Sequence, residues 1–153
     1  MSANLPYPSL PKIEVSGKAE SVDTDIWLTL RDGEGSLQIP PSPYRDTLHR
    51  LKKADAHSAA SGSLEFLRFS GQGDASNVLF VGLGPQGELT EEKARVAGSH
   101  AHARLKATRS RSASLCVDSF EGLKPALSGQ RADLTCAFVE GLLHELGHHP
   151  FVV

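Results

Sequence analysis

Asn77-Val-Leu-Phe-Val-Gly-Leu-Gly-Pro-Gln-Gly-Glu-Leu-Thr-Glu-Glu-Lys93 carries three structural signals in one short stretch. Residues 77–81 are apolar almost throughout, which suits a central strand covered on both faces rather than a strand with one wet side. Gly82, Gly84 and Gly87 then read as a glycine turn. Thr90 follows as an N-cap, with Glu91 and Glu92 placed to complement the positive end of a helix running to about Lys106. The stripe Leu89, Ala94, Ala97, Ala101 and Leu105 gives that helix one buried side. A buried strand feeding a helix is the unit of a layered α/β domain.

The same alternation extends outward in both directions. Residues up to Pro11 read as an extended arm, and residues 12–16 (Lys-Ile-Glu-Val-Ser) as a first strand. Residues 25–31 form a second strand, closed by the Asp32-Gly33 turn signal. Ser42 is placed to cap a helix with Pro43 at its first position, running through Leu48 and Leu51 to about Lys53. After a small-residue loop over 55–62, residues 63–69 form another strand with Leu64, Phe66 and Arg68 on one side. Residues 113–117 are the next strand. A last helix is expected over about 133–148, ended by Pro150. On a helical wheel its apolar arc is Leu134, Phe138, Val139, Leu142, Leu143 and Leu146, with His144 and His148 on the other side near Ala137 and Gly141.

Bulk properties exclude several classes of function. A chain of 153 residues is one ordinary domain. Sixteen basic against eighteen acidic side chains leave a net charge of -2, so no electrostatic case exists for nucleic acid or an anionic membrane as partner. The basic cluster Arg104, Lys106, Arg109 and Arg111 reads as a solvated loop. No apolar run is long enough to span a bilayer, and the proline-rich N-terminus is not a signal peptide. Cys116 and Cys136 sit in apolar stretches and read as buried free thiols of a reducing compartment. A soluble cytoplasmic protein is the expectation.

Two motifs point to chemistry. Gly82, Gly84 and Gly87 fit G-x-G-x-x-G between a strand and a helix, the context of a dinucleotide site. Against it, the helix starts at Thr90, past the last glycine, and no acidic residue stands about twenty residues on to take a ribose. His144-Glu145-Leu146-Gly147-His148 matches H-E-x-x-H, with two histidines one helical turn apart as zinc chelation needs. Against it, only five residues follow His148, and the adjacent His149 points about 100° away around a helix, so a third ligand is wanting. No serine stands in a nucleophile elbow. The residues by themselves name no catalytic, cofactor-binding or metal-binding set.

Four blocks, Leu64-Glu-Phe-Leu-Arg-Phe69, Asn77-Val-Leu-Phe-Val-Gly-Leu-Gly84, Leu89-Thr-Glu-Glu-Lys93 and Ala94-Arg-Val-Ala-Gly98, resemble in order and spacing the N-terminal domain of the leucyl aminopeptidases, the cytosol aminopeptidases. Glu140-Gly-Leu-Leu143 resembles a helix near that domain's end, which would put the HExxH string on a helix that binds no metal in the family. After Leu143 the chain departs from the family, with His148-His-Pro-Phe151 where a Tyr-x-Phe-Asp-like segment is often found.

The resemblance implies a three-layer fold similar to macro domains, with a mixed, largely parallel sheet flanked by helices over residues 12–153. It implies a larger catalytic domain, holding two divalent metal ions (zinc or manganese) and the Asn-Thr-Asp-Ala-Glu-Gly-Arg motif. That string does not occur here, so the catalytic domain is expected to be absent from this chain and no catalytic residue is carried over. The implied parent removes N-terminal amino acids from peptides as a homo-hexamer. This domain would partner its own catalytic domain and neighbouring subunits, serving assembly and active-site access. The alternatives are a stand-alone nucleotide or ADP-ribose binding module using the Gly82–Gly87 loop, and a small zinc peptidase using His144, Glu145 and His148.

Overall fold

The computed structural model describes residues 22–39, 42–71, 75–115 and 131–144. In chain order these form β1 (Thr24–Arg31), α1 (Arg45–Lys53), β2 (Leu64–Arg68), β3 (Asn77–Pro85), a single 3-10 turn (Gln86–Glu88), α2 (Glu91–Ala107), β4 (Ala113–Leu115) and α3 (Arg131–His144). The sheet order is β2-β3-β1-β4. β1 runs parallel to both β3 and β4, and β2 runs antiparallel to β3. The domain is therefore α/β with a mixed, largely parallel sheet. The expected strand at 12–16 lies outside the described residues, as do Cys116 and Val117.

Side-chain alternation sorts the sheet into two packed faces. Ile26, Leu28 and Leu30 of β1 and Leu79, Val81 and Leu83 of β3 meet α2 and α3. Trp27, Val78 and Phe80 point the other way and meet Tyr44, Leu48 and Leu51 at α1. Val78, Leu79, Phe80 and Val81 are all fully buried, as a central strand without polar alternation should be. Tyr44 fills the α1 face with edge-on contacts to Trp27 at 5.3 Å and Phe80 at 5.6 Å between ring centres. Its hydroxyl donates to the Asp25 carboxylate, whose other oxygen accepts from Ser114 Oγ at 2.6 Å. A helix on one face and two on the other make three layers.

The local signals hold where the physics is local. Thr90 Oγ1 accepts from the Lys93 amide at 3.2 Å and caps α2. All five residues of the stripe from Leu89 to Leu105 are buried. At α1 the expectation is corrected. Ser42 makes a turn before the helix, its Oγ accepting from the Tyr44 amide at 3.2 Å and its carbonyl from Arg45 at 3.2 Å. The helix itself opens at Arg45 with Tyr44 in the cap position and no side-chain cap. Ser42 spends its oxygen on the turn, because burial of the Tyr44 ring fixes the entry of the chain.

Candidate functional site: the glycine segment and the helix pair

The glycine turn expected at 82–87 is displaced. β3 continues through Gly82 and Gly84 to Pro85, and the chain turns only at Gln86–Glu88. Gly84 alone of the three has a left-handed backbone, with φ +81. Gly82 is glycine for another reason. A Cβ there would fall 2.2 Å from Ser63 Oγ and 2.3 Å from the Ala60 carbonyl oxygen. Gly87 has open space around it and packs on nothing.

The segment pressing on these glycines is the chain's own. Residues 56–63, between α1 and β2, run from the α1 side of the sheet, where His57 and Ala59 lie with Phe80, to the edge of β3 in line with β2. The Gly82 amide donates to the Ser63 carbonyl at 2.8 Å, the Gly84 amide to the Ala59 carbonyl at 2.8 Å, and the Gly62 amide to the Gly82 carbonyl at 3.0 Å. In a dinucleotide site the glycines let backbone amides approach pyrophosphate, and the third glycine packs helix on strand. Here the Gly82 and Gly84 amides are already bonded to protein carbonyls, and the third glycine is exposed.

His57 anchors this strap. It is 4% exposed, and its Nε2 lies 2.8 Å from Thr29 Oγ1 on β1. Thr29 Oγ1 also donates to the Val81 carbonyl at 3.0 Å. The hydroxyl proton being committed there, Thr29 accepts from His57, which fixes the proton on Nε2 in the neutral ring. Burial pulls the His57 pKa down from 6.5 to about 4. Sequence reading missed this residue. A lone histidine in a small-residue loop carries no periodicity, and its burial comes from where the strap crosses the sheet.

A second close contact joins α2 and α3. A Cβ on Gly98 would fall 2.1 Å from the Phe138 carbonyl oxygen, and one on Gly141 would fall 1.8 Å from that of Arg95. Ser99 Oγ donates to the Gly141 carbonyl at 3.3 Å, and His102 Nδ1 to that of Leu142 at 3.0 Å. Arg95 bridges Glu92 at 2.7 Å and Glu140 at 3.1 Å above the crossing. This corrects the expected helical wheel. Ala137 and Gly141 lie in the buried face with Leu134, Phe138 and Leu142, while Val139 and Leu143 are half-exposed. Small residues are inside because the helix backbones nearly touch there.

Cys136, expected to be buried, is an exposed free thiol on α3. It sits about 200° around the helix from Leu134, away from α2. His144 is the last residue of α3, and Glu145 and His148 lie outside the described residues. Among the described residues no three His, Cys, Asp or Glu side chains gather where they could hold a metal ion.

The segments so arranged match the N-terminal domain of the cytosol aminopeptidase family over residues 34–146. The chain belongs to this family. The match takes in the strap, β2, β3 and both helices of the close crossing. A probable cytosol aminopeptidase from Clostridium perfringens is 29% identical over 136 residues, covering 88% of this chain and 25% of the relative. The chain thus spans a quarter of the length of that relative.

Two solved structures share the fold of this cytosol aminopeptidase N-terminal domain. A mutant of tomato leucine aminopeptidase superposes with TM-score 0.54 at 19% identity, over 91% of this chain and 29% of its own. The macrodomain of Mycobacterium tuberculosis DarG superposes with TM-score 0.58 at 7% identity, over 95% and 96% of the two chains. The expected macro-domain-like architecture is therefore present. Within it, Glu140-Gly-Leu-Leu143 has a structural role: Glu140 takes the Arg95 bridge, Gly141 the backbone contact and Leu142 the core.

Proposed function

We infer that this chain is the non-catalytic N-terminal domain of a leucyl aminopeptidase-like metallopeptidase. The parent would remove N-terminal amino acids from peptides in the cytoplasm. The observation that carries the reading is the match of residues 34–146 to the family's N-terminal domain. Hydrolysis would fall to a catalytic domain with two divalent ions, zinc or manganese, which activate water and polarise the scissile carbonyl. This domain would contribute to assembly of a hexamer and to the approach of peptides to the active site. The engaged amides of Gly82 and Gly84 favour this reading over a nucleotide-binding module.

Two measurements test it. The purified chain, given leucine p-nitroanilide with zinc or manganese, is expected to show no turnover above the metal-only blank. Turnover that disappears in His144→Ala would instead assign a zinc peptidase to the HExxH string. The gene is expected to read on past Val153 into the Asn-Thr-Asp-Ala-Glu-Gly-Arg motif; a stop codon there would overturn the proposal.

A further inference from the structure

We propose that residues 56–63 form an acid-released strap. Protonation puts a charge on the buried His57 ring, and the strap lifts off Gly82 and Gly84 to hydrate it while the three layers stay folded.

Three observations place the device in this segment. The strap is strained at Ala59, which is fully buried with φ +59. A residue with a Cβ adopts a left-handed backbone only against steric resistance. The strap's side chains are small, so it has little apolar area of its own to bury. Beyond Ala59 and the His57 ring against Phe80, its hold on the sheet includes three backbone bonds to Gly82 and Gly84 and the His57–Thr29 bond. That last bond has a switchable member. Thr29 Oγ1 could still accept from a charged ring, but the ring would carry its charge in a buried site, against the Phe80 ring and the Thr29 hydroxyl.

The ionisable groups of the surrounding elements do not offset this. They are Asp55 at the start of the loop, Lys52 and Lys53 at the end of α1, Arg31 and Asp32 at the end of β1, Glu88 after β3, and His100 of α2, whose ring packs against Gly62. Burial is the sole cause of the shift at His57. The sign follows. The closed strap favours the neutral ring, so its hold is complete above about pH 6.5, weakens as pH falls, and reaches its lowest value below about pH 4. Lifting the strap would uncover the amides of Gly82 and Gly84 at the end of a parallel strand, where open α/β sheets place their crevices.

Amide hydrogen exchange on the whole chain, expressed as protection factors, tests this. Protection of Gly62, Gly82 and Gly84 is expected to lie below that of Ala101 and Leu105 in α2. It should fall with a slope approaching ten-fold per pH unit between about pH 6 and pH 4, the slope of one proton. His57→Gln, which keeps a neutral donor, should abolish the slope, while His100→Gln should keep it. Equal protection in strap and α2, or a slope that survives in His57→Gln, overturns the proposal. If His57→Gln does not fold, the wild-type His57 ring is titrated by NMR. Spectral change confined to residues 56–63 and their contacts on protonation supports the strap; collapse of the whole spectrum at that midpoint overturns it.

Discussion

The domain has two places where glycine lets backbone meet backbone, and they are built for different behaviour. At the α2–α3 crossing, Gly98 and Gly141 sit in two helices clamped from beneath by Phe138 and Leu142 and from above by Arg95 and Glu140. At the end of β3, Gly82 and Gly84 meet a loop with strained backbone and little apolar surface. The first contact joins two packed helices and cannot yield without moving them apart. The second joins a rigid strand to a segment that can move alone.

That contrast can be broken by adding one carbon at each place. Gly141→Ala is expected to cost about 3 kcal/mol or more, because its Cβ would press on the Arg95 carbonyl and the helices must separate to admit it. The loss should appear as a lower denaturant midpoint with an unchanged slope. Gly82→Ala creates an overlap nearly as severe on paper, yet is expected to cost only about 1–2 kcal/mol, since the strap can be displaced. Hydrogen exchange should then show the amides of residues 56–63 losing protection while α2 keeps its own. Equal costs for the two variants would show that the strap is as firmly built as the helix pair.

A third substitution sharpens the comparison from the surface. Phe69, just past β2, is 87% exposed on a left-handed backbone with φ +60. Phe69→Gly removes no core packing and relieves strain of about 1–2 kcal/mol, against about 0.5–1 kcal/mol of extra freedom in the unfolded chain. A net gain of about 0.5–1 kcal/mol in thermal or denaturant unfolding is the expected result. A loss would mean that the ring makes a contact important to stability.

What could be read from the sequence follows from how local each cause is. The buried run at 77–81 and the Thr90 cap depend on residues near one another, and both stand as expected. The fate of Ser42 depended on Tyr44 reaching Phe80, far along the chain. The buried face of α3 was misplaced because a wheel weights large apolar side chains, whereas a close crossing selects Ala137 and Gly141 for their smallness. That selection becomes visible only when Gly98, on another helix, is known to lie opposite. The glycine motif gives no hint of its partner in the fold, residues 59–63, which read as part of a small-residue loop running into a strand. His57 was hidden in that loop.

The parallel pairing of β1 also dictates an order of assembly. Thr24 finds its partner Asn77 only after α1 and β2 have passed, and its other neighbour Ala113 only after all of α2. The β2–β3 pair, by contrast, is antiparallel and close in sequence. On a growing chain β1 therefore emerges with both edges open and its apolar faces uncovered, and waits for most of the domain to be made. Loop closure must precede the reward of such non-local contacts. For this chain the rate of folding should thus be governed by the seating of its earliest described strand, and aggregation during synthesis should be most damaging through that same segment.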